Sequence, residues 1–109
     1  MDWELKRSGG RLVGVARGRV DAASWERFSQ ALIEAVREAA AEGASLVVDL
    51  SGLDYLSSRG LRALTMARRE AGDSVAITLA APNDRVREIL AISRCDQLFE
   101  VTDSVESRH

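Results

Sequence analysis

The chain has 109 residues, of which 46% are hydrophobic and 29% are charged, a composition typical of one globular domain. Its 15 basic and 17 acidic residues leave a formal net charge of -2, which argues against a nucleic-acid partner because such proteins carry a basic excess. A single cysteine, Cys95, excludes an intrachain disulfide, and the one histidine, His109, is the last residue. We therefore predict a single domain over residues 1–109, with no cofactor, no metal and no catalytic site.

The chain shows no targeting or membrane signal. Residues 1–7 contain no apolar stretch of signal-peptide length, and the longest apolar runs fall far short of the ~20 residues that a membrane span needs. We expect a cytoplasmic protein without membrane insertion.

The first half of the chain predicts a hairpin and a long helix. Trp3, Leu5 and Arg7 alternate with charged residues, and an apolar run follows at residues 12–16. A turn of one serine and two glycines separates the two segments, which suggests a hairpin. Gly18 is expected to interrupt the second strand, and Asp21 to cap the helix that follows. Residues 22–42 have the helical period and stop at Gly43, which suits a left-handed cap. The apolar stripe of this helix consists of Trp25, Phe28, Leu32, Ala35, Val36 and Ala39.

The second half predicts alternating strands and helices. Residues 45–50 indicate a central strand buried on both faces, followed by a loop over 51–57 and a helix over 58–71 that ends at Gly72. A strand over 74–80, a helix opened by Pro82, Asn83 and Asp84, and a strand over 98–101 come next. The apolar positions of the third helix include Val86, Ile89, Leu90 and Ile92. The tail from Thr102 is either a short helix or disordered, and the alternation predicts a layered α/β domain with parallel strand pairs.

The sequence lacks the residues that most catalytic mechanisms require. The terminal His109 is poorly placed to serve as a base. Cys95 therefore has no internal histidine to activate it and is interpreted as a small buried or half-buried residue. Asp49 and Asp54 are better explained as carboxylates bonded to backbone amides than as a metal or acid/base pair. The serine and glycines at 8–10 are interpreted as a hairpin turn, because the sequence has no phosphate-binding glycine loop.

Two features of the predicted second helix remain. Helix capping accounts for one of Ser57 and Ser58, whereas Gly60 costs up to about 1 kcal/mol relative to alanine and indicates a close approach to that backbone. A hydroxyl there lies at the positive end of the helix dipole, where a phosphate is tolerated, so a regulatory phosphoserine is the alternative to a plain cap. Arg59, Arg62, Met66 and Arg69 share the outer side of the helix. They form either a solvated basic face or a docking surface for an acidic partner.

At these positions the sequence resembles the STAS domain, and more narrowly the bacterial anti-sigma factor antagonists. The resemblance is carried by residues 48–61, which read Val-Asp-Leu-Ser-Gly-Leu-Asp-Tyr-Leu-Ser-Ser-Arg-Gly-Leu. Residues 18–21 match the turn before the first long helix, and residues 82–86 match the start of the third. The implied fold is α/β: a single STAS-like domain with a mixed four- to five-stranded sheet packed by three to four helices.

The resemblance implies partner switching as the mode of transcription regulation. The unphosphorylated protein would bind an anti-sigma factor serine kinase, which then releases its sigma factor. Phosphorylation of Ser58, with Ser57 as second choice, would end binding, and a PP2C-type phosphatase would reset the system. The protein would be a monomer or weak dimer. The implied partner-binding residues are Asp21, Asp54, Tyr55, Ser57, Ser58, Arg59, Gly60, Arg62, Met66 and Arg69.

Two positions depart from the family pattern. Ser57 replaces an aspartate, and Arg59 stands where the family prefers a small hydroxyl residue. Arg59 is compatible with pairing to a phosphate on Ser58, with selection of an unusual kinase, or with loss of the phosphorylation cycle. The alternative function is a STAS scaffold or adaptor outside sigma control, such as a stressosome component or a lipid-transporter-associated subunit.

Overall fold

The computed structural model describes residues 1–105, and the predictions for His109 and the end of the tail lie outside these residues. The described elements follow the chain as β1 (Asp2–Ser8), β2 (Arg11–Val20), α1 (Trp25–Glu42), β3 (Ser45–Leu56), α2 (Ser58–Ala71), β4 (Ile77–Ala80), α3 (Asp84–Ile92), a 3-10 helix (Cys95–Gln97) and β5 (Glu100–Thr102). The bounds of α2 and its end at Gly72 agree with the sequence prediction.

The strands form one mixed sheet in the order β1-β2-β3-β4-β5. β1 and β2 are antiparallel, and every other neighbouring pair is parallel. Gly9 and Gly10 both have positive φ, which suits the tight turn of the predicted hairpin. Because parallel strands end at the same edge of the sheet, the starts of α2 and α3 lie at one end of the domain. The predicted α/β class is confirmed.

The main core lies between the sheet and the helices. Leu12, Leu46 and Leu79 come from three adjacent strands and belong to one buried cluster with residues of all three α-helices. On α1, the whole predicted stripe is buried except Trp25, which is partly buried. Side chains on the opposite sheet face form a smaller cluster of Val13, Val15, Val47 and Ala80, against which Val105 packs.

The two central strands are longer than the sequence indicates. Gly18 does not interrupt β2, because its φ of +91° accompanies an irregularity in the pairing with β3 rather than a strand end. The predicted loop over 51–57 is strand as far as Leu56. From Leu50 to the end of β3, the buried residues are Leu50, Leu53 and Leu56. They recur at a spacing of three because the register shifts disturb the two-residue alternation.

Element ends account for the remaining corrections. α1 begins at Trp25 and not at residue 22, and Ser24 rather than Asp21 occupies its cap position. β4 begins at Ile77 because the N–H of Ser74 bonds back to the carbonyl of Ala71 and keeps the preceding residues in a turn.

The last predicted strand also needs correction. β5 covers Glu100–Thr102, because the 3-10 helix occupies the preceding segment and leaves Leu98 48% exposed. Of the apolar residues of α3, Val86 and Leu90 are buried, whereas Ile92 at the end of the helix is 78% exposed. Cys95 is buried, which confirms its interpretation as a core residue.

Candidate functional site at the start of the second helix

Ser57 connects the end of β3 to α2. Its backbone N–H donates to the carbonyl of Val20 at 2.9 Å, which ties the turn to the end of β2. Its hydroxyl accepts from the backbone N–H of Gly60 at 3.2 Å and so caps α2. The Ser57 side chain is half-buried, and its oxygen already has a structural partner.

Gly60 is required by the core of the protein. A Cβ at this position would lie 2.6 Å from Cδ1 of Leu56 and 2.8 Å from Cγ1 of Val20. The close approach that the sequence indicates is therefore made by two core side chains, and Gly60 itself is buried.

Ser58 is the first residue of α2 and is exposed. Its hydroxyl makes no hydrogen bond with any other residue from 1 to 105. The first turn of α2 contains no acidic residue, so no carboxylate of the helix itself balances the positive end of its dipole. The arrangement leaves a reachable hydroxyl where added negative charge is tolerated.

Arg59 is directed toward α1. Its guanidinium carbon lies 5.7 Å from the ring centroid of Trp25, a cation–π contact. A shallow groove of about 450 Å³ is lined by Trp25, Arg59, Arg62 and Met66. The sequence assigns Trp25 to the core, and its second role at this groove depends on the tertiary contact between α1 and α2, which no local pattern encodes.

A second groove, of about 570 Å³, shares Arg62 and Met66 with the first. It is lined by Ser58, Leu61, Arg62, Thr65, Met66, Arg69, Ser93 and Cys95. Met66 is 42% exposed, and none of the described residues that line either groove is acidic. We call the surface formed by Ser58, Arg59, Arg62, Met66 and Arg69 the α2 outer face.

Two of the predicted binding residues lie near the end of β3, outside both grooves. Tyr55 is half-buried, and the guanidinium carbon of Arg19 lies 4.8 Å from its ring centroid. Asp54 is exposed on the preceding position. Earlier in β3, Asp49 accepts the N–H of Ser51 at 2.9 Å, as predicted for a carboxylate satisfied by backbone.

Asp21 organises the turn before α1. One carboxylate oxygen accepts from the Ala23 N–H and from the Ser24 hydroxyl, both at 3.1 Å. The Ser24 hydroxyl, and then the Ala23 N–H, lower the pKa of Asp21 below its ordinary value because they stabilise the charged form. The part played by Ser24 is absent from the sequence prediction. The bond from the Ala23 N–H to the Asp21 carboxylate is an Asx turn, for which an Asp is a recognisable sequence signal.

Within the described part of the chain, no group of three or more His, Cys, Asp or Glu side chains is placed to hold a metal ion. The helices of the same residues include none that combines the length and apolar character needed to cross a membrane.

Comparison with known proteins places the domain in a family. The family described as "Mlab, STAS domain" matches residues 4–101. A "STAS-domain containing protein" of Pseudomonas aeruginosa is 44% identical over 57 residues, which cover 51% of this chain and 56% of that protein. The matched region thus spans little more than half the length of that relative.

Solved structures share the fold at low sequence identity. An anti-sigma factor antagonist from Mycobacterium paratuberculosis superposes with a TM-score of 0.82 at 21% identity, covering 96% of this chain and 87% of that one. The anti-sigma factor antagonist SpoIIAA in its unphosphorylated form gives 0.70 at 15% identity, with 96% and 91% coverage. The Bacillus SpoIIAA in its phosphorylated form gives 0.65 at 16%, with 92% and 90% coverage.

Proposed function

The chain belongs to the STAS domain family, and we propose that it acts as an anti-sigma factor antagonist controlled by phosphorylation of Ser58. In this function the unphosphorylated protein binds an anti-sigma factor serine kinase through the α2 outer face, and the kinase releases its sigma factor. Phosphorylation of Ser58 dissociates the complex, and a PP2C-type phosphatase restores the binding form. The setting is the bacterial cytoplasm.

The single observation that carries the proposal is the different state of two adjacent serines. The Ser57 hydroxyl is half-buried and engaged in the cap of α2. The Ser58 side chain is exposed at the first helical position, where a kinase can reach it without unfolding the helix. This difference supports Ser58 over Ser57 as the modified residue. A solved structure of one fold relative, SpoIIAA, is of a phosphorylated form.

The α2 outer face supports an acidic partner surface. Arg59, Arg62 and Arg69 bring three positive charges around the partly exposed thioether of Met66. Methionine adapts its shape to a partner, and complementary charge steers association and fixes orientation. The charged rim and soft apolar centre are suited to a reversible protein contact.

A phosphate on Ser58 would reverse the charge balance at one edge of this surface. It adds about -1.5 to -2 charges at neutral pH and three acceptor oxygens. An acidic partner that fits the arginines is then repelled at the contact point, and the arginines are partly neutralised. Mismatched charge at an interface costs about 2–5 kcal/mol, which corresponds to a loss of affinity of about 30-fold or more.

The unusual Arg59 has a structural place that is compatible with this function. Its guanidinium lies against Trp25 of α1, so the bulky cation is held across the groove between the two helices. There it contributes to the positive rim of the docking surface.

Phosphate mapping tests the proposal. The full chain is incubated with ATP and the serine-kinase anti-sigma factor encoded nearest to it, and the product is analysed by peptide mass spectrometry. We expect one phosphate, on Ser58, no label in Ser58→Ala, and retained label in Ser57→Ala. Absence of label from both serines would favour a STAS scaffold or adaptor outside sigma control.

A further inference from the structure

The outer edge of β1 has unpaired backbone groups. β1 is an edge strand, and among residues 1–105 no strand pairs with its outer side. Ser8 pairs with Arg11 across the two-glycine turn, and the residues that close a two-residue hairpin exchange hydrogen bonds. Since hydrogen-bonded pairs alternate along an antiparallel ladder, the N–H and C=O groups of Trp3, Leu5 and Arg7 point outward.

We propose that β1 pairs with β1 of a second copy of this chain, antiparallel and centred on Leu5, to give a two-fold symmetric dimer with a continuous ten-stranded sheet. In this register Leu5 exchanges two hydrogen bonds with Leu5 of the second copy. Trp3 and Arg7 of each copy exchange two with Arg7 and Trp3 of the other. All six outward-pointing backbone groups of each strand are then satisfied.

The charges of β1 select this register. Glu4 stands directly opposite Lys6 of the second copy, and the two-fold axis repeats the pair. A shift by two residues in one direction places Glu4 opposite Glu4, and a shift in the other direction places Lys6 opposite Lys6. Like charges directly opposite each other destabilise a strand pair, and each shifted register also loses two of the six hydrogen bonds.

Charged side chains usually protect an edge strand from pairing with other chains. In β1, Glu4 and Lys6 hinder pairing with unrelated strands but complement the same residues of a second copy. The Lys6 and Glu4 side chains are 53% and 54% exposed, and their contacts within the chain are surface ion pairs of 4.0 Å to each other and 3.7 Å from Glu4 to Arg17. Such exposed pairs contribute little, so pairing with a second copy does not have to disrupt a strong contact.

The dimer leaves the α2 outer face open. α2 packs against α1 and β3, on the helical side of the sheet, and Ser58 is not part of the β1 edge. The contact consists of one strand edge from each copy, and interfaces under roughly 1,000 Å² are typically weak or transient. We therefore expect a reversible dimer whose population depends on concentration. The inference is independent of the proposed function, because Ser58 labelling does not require the β1 edge.

A charge-swap series tests the dimer. Sedimentation velocity of the full chain, run from about 1 µM to 1 mM, is expected to show a reversible shift from monomer to dimer. Lys6→Glu and Glu4→Lys should each weaken association by about tenfold or more, and the double variant with both changes should recover most of it. Glu88→Lys, an exposed charge reversal on α3, serves as the matched control. A monomer at all concentrations, or single variants that associate like wild type, would overturn the proposal.

Cysteine pairing tests the register. Glu4→Cys and Lys6→Cys proteins are made in a Cys95→Ala background, because Cys95 lines the second groove, and are mixed under mild oxidation. Residues opposite each other in a non-hydrogen-bonded pair have Cα atoms about 4.5 Å apart, within the range for a disulfide. The mixed cross-link should form several-fold faster than either like-with-like cross-link. Faster cross-linking of either protein with itself would overturn the Leu5-centred register.

Discussion

α2 and α3 begin at the same end of the sheet, and each has a side-chain cap, but their first turns differ in charge. Both helices begin after a parallel strand at the same end of the sheet. The Ser57 hydroxyl accepts the N–H of Gly60 at 3.2 Å, and the Asn83 side-chain oxygen accepts the N–H of Val86 at 2.8 Å. By capping geometry alone, the two turns are equivalent.

Their first helical residues separate them. α3 begins with Asp84, whose carboxylate balances the helix dipole, and the Asn83 amide donates to the Leu53 carbonyl at 3.0 Å. α2 begins with the exposed Ser58 and has no acid in its first turn. The first turn of α3 therefore carries a compensating acid, whereas the first turn of α2 carries none and is suited to added negative charge. The same kind of side-chain cap therefore occurs at a purely structural helix start in α3 and at a start suited to modification in α2.

The largest expected effect on stability comes from replacing Gly60, the third residue of α2, with valine, which is the third residue of α3. Gly60→Val places a branched side chain where even a Cβ lies 2.6 Å from Leu56. We expect the free energy of unfolding to fall by about 2–3 kcal/mol, measured by urea denaturation. Ser58→Ala, two residues earlier and exposed, should change it by about 0.5 kcal/mol or less. Similar values for the two variants would show that α2 does not pack as closely as the structure indicates.

The caps of α2 and α3 should contribute different amounts to the free energy of unfolding. Ser57→Ala removes one cap bond and should cost about 1 kcal/mol. Asn83→Ala removes a cap bond and also the bond to the Leu53 carbonyl, so it should cost about 2 kcal/mol. Denaturant midpoints of both variants at the same pH make the test. Equal costs would contradict the assignment of a second structural role to Asn83.

Exchanging the first residues of the two helices should move stability in opposite directions. Ser58→Asp adds a carboxylate at the positive end of α2 and should raise the free energy of unfolding by about 0.3–1 kcal/mol. Asp84→Ser should lower it by a similar amount. Thermal unfolding at low and high salt provides the readout, and the difference should shrink at high salt. A Ser58→Asp protein less stable than wild type would contradict the uncompensated dipole of α2.

The smallest effect concerns the turn before α1. The pKa of Asp21 is lowered in the folded protein, chiefly by the Ser24 hydroxyl. Its contribution to stability is therefore present above the pKa of the unfolded chain and is lost as the pH falls through the lower folded value. Asp21→Asn should be less stable than wild type at neutral pH, and the two stability curves should converge in acid. Parallel curves down to pH 2 would contradict this linkage.

Sequence patterns predict the elements whose packing follows one period. The three- and four-residue spacing from Phe28 to Ala39 and the cap at Gly43 define α1 apart from its first turn. The two-glycine turn and the exact span of α2 follow from residue types that act locally. The extension of β3 to Leu56 does not, because the register shifts against β2 replace the alternation that identifies a strand.

The candidate site likewise combines features that follow from the local sequence with features that depend on tertiary contacts. The outer position of Arg62, Met66 and Arg69 follows from helical spacing. The contact between Arg59 and Trp25 requires α1 and α2 to pack, and the reason for Gly60 is two side chains from β2 and β3. These are tertiary contacts, which the local sequence does not encode.

The most direct test of Ser58 as the switch is a binding titration with the cognate anti-sigma factor kinase. Wild type and Ser58→Ala are compared with Ser58→Asp and with Ser74→Asp, which places the same charge on an exposed serine beyond the other end of α2. We predict a dissociation constant at least about 30-fold higher for Ser58→Asp, with the other two variants within about threefold of wild type. Equal affinities for Ser58→Asp and Ser58→Ala would contradict the account.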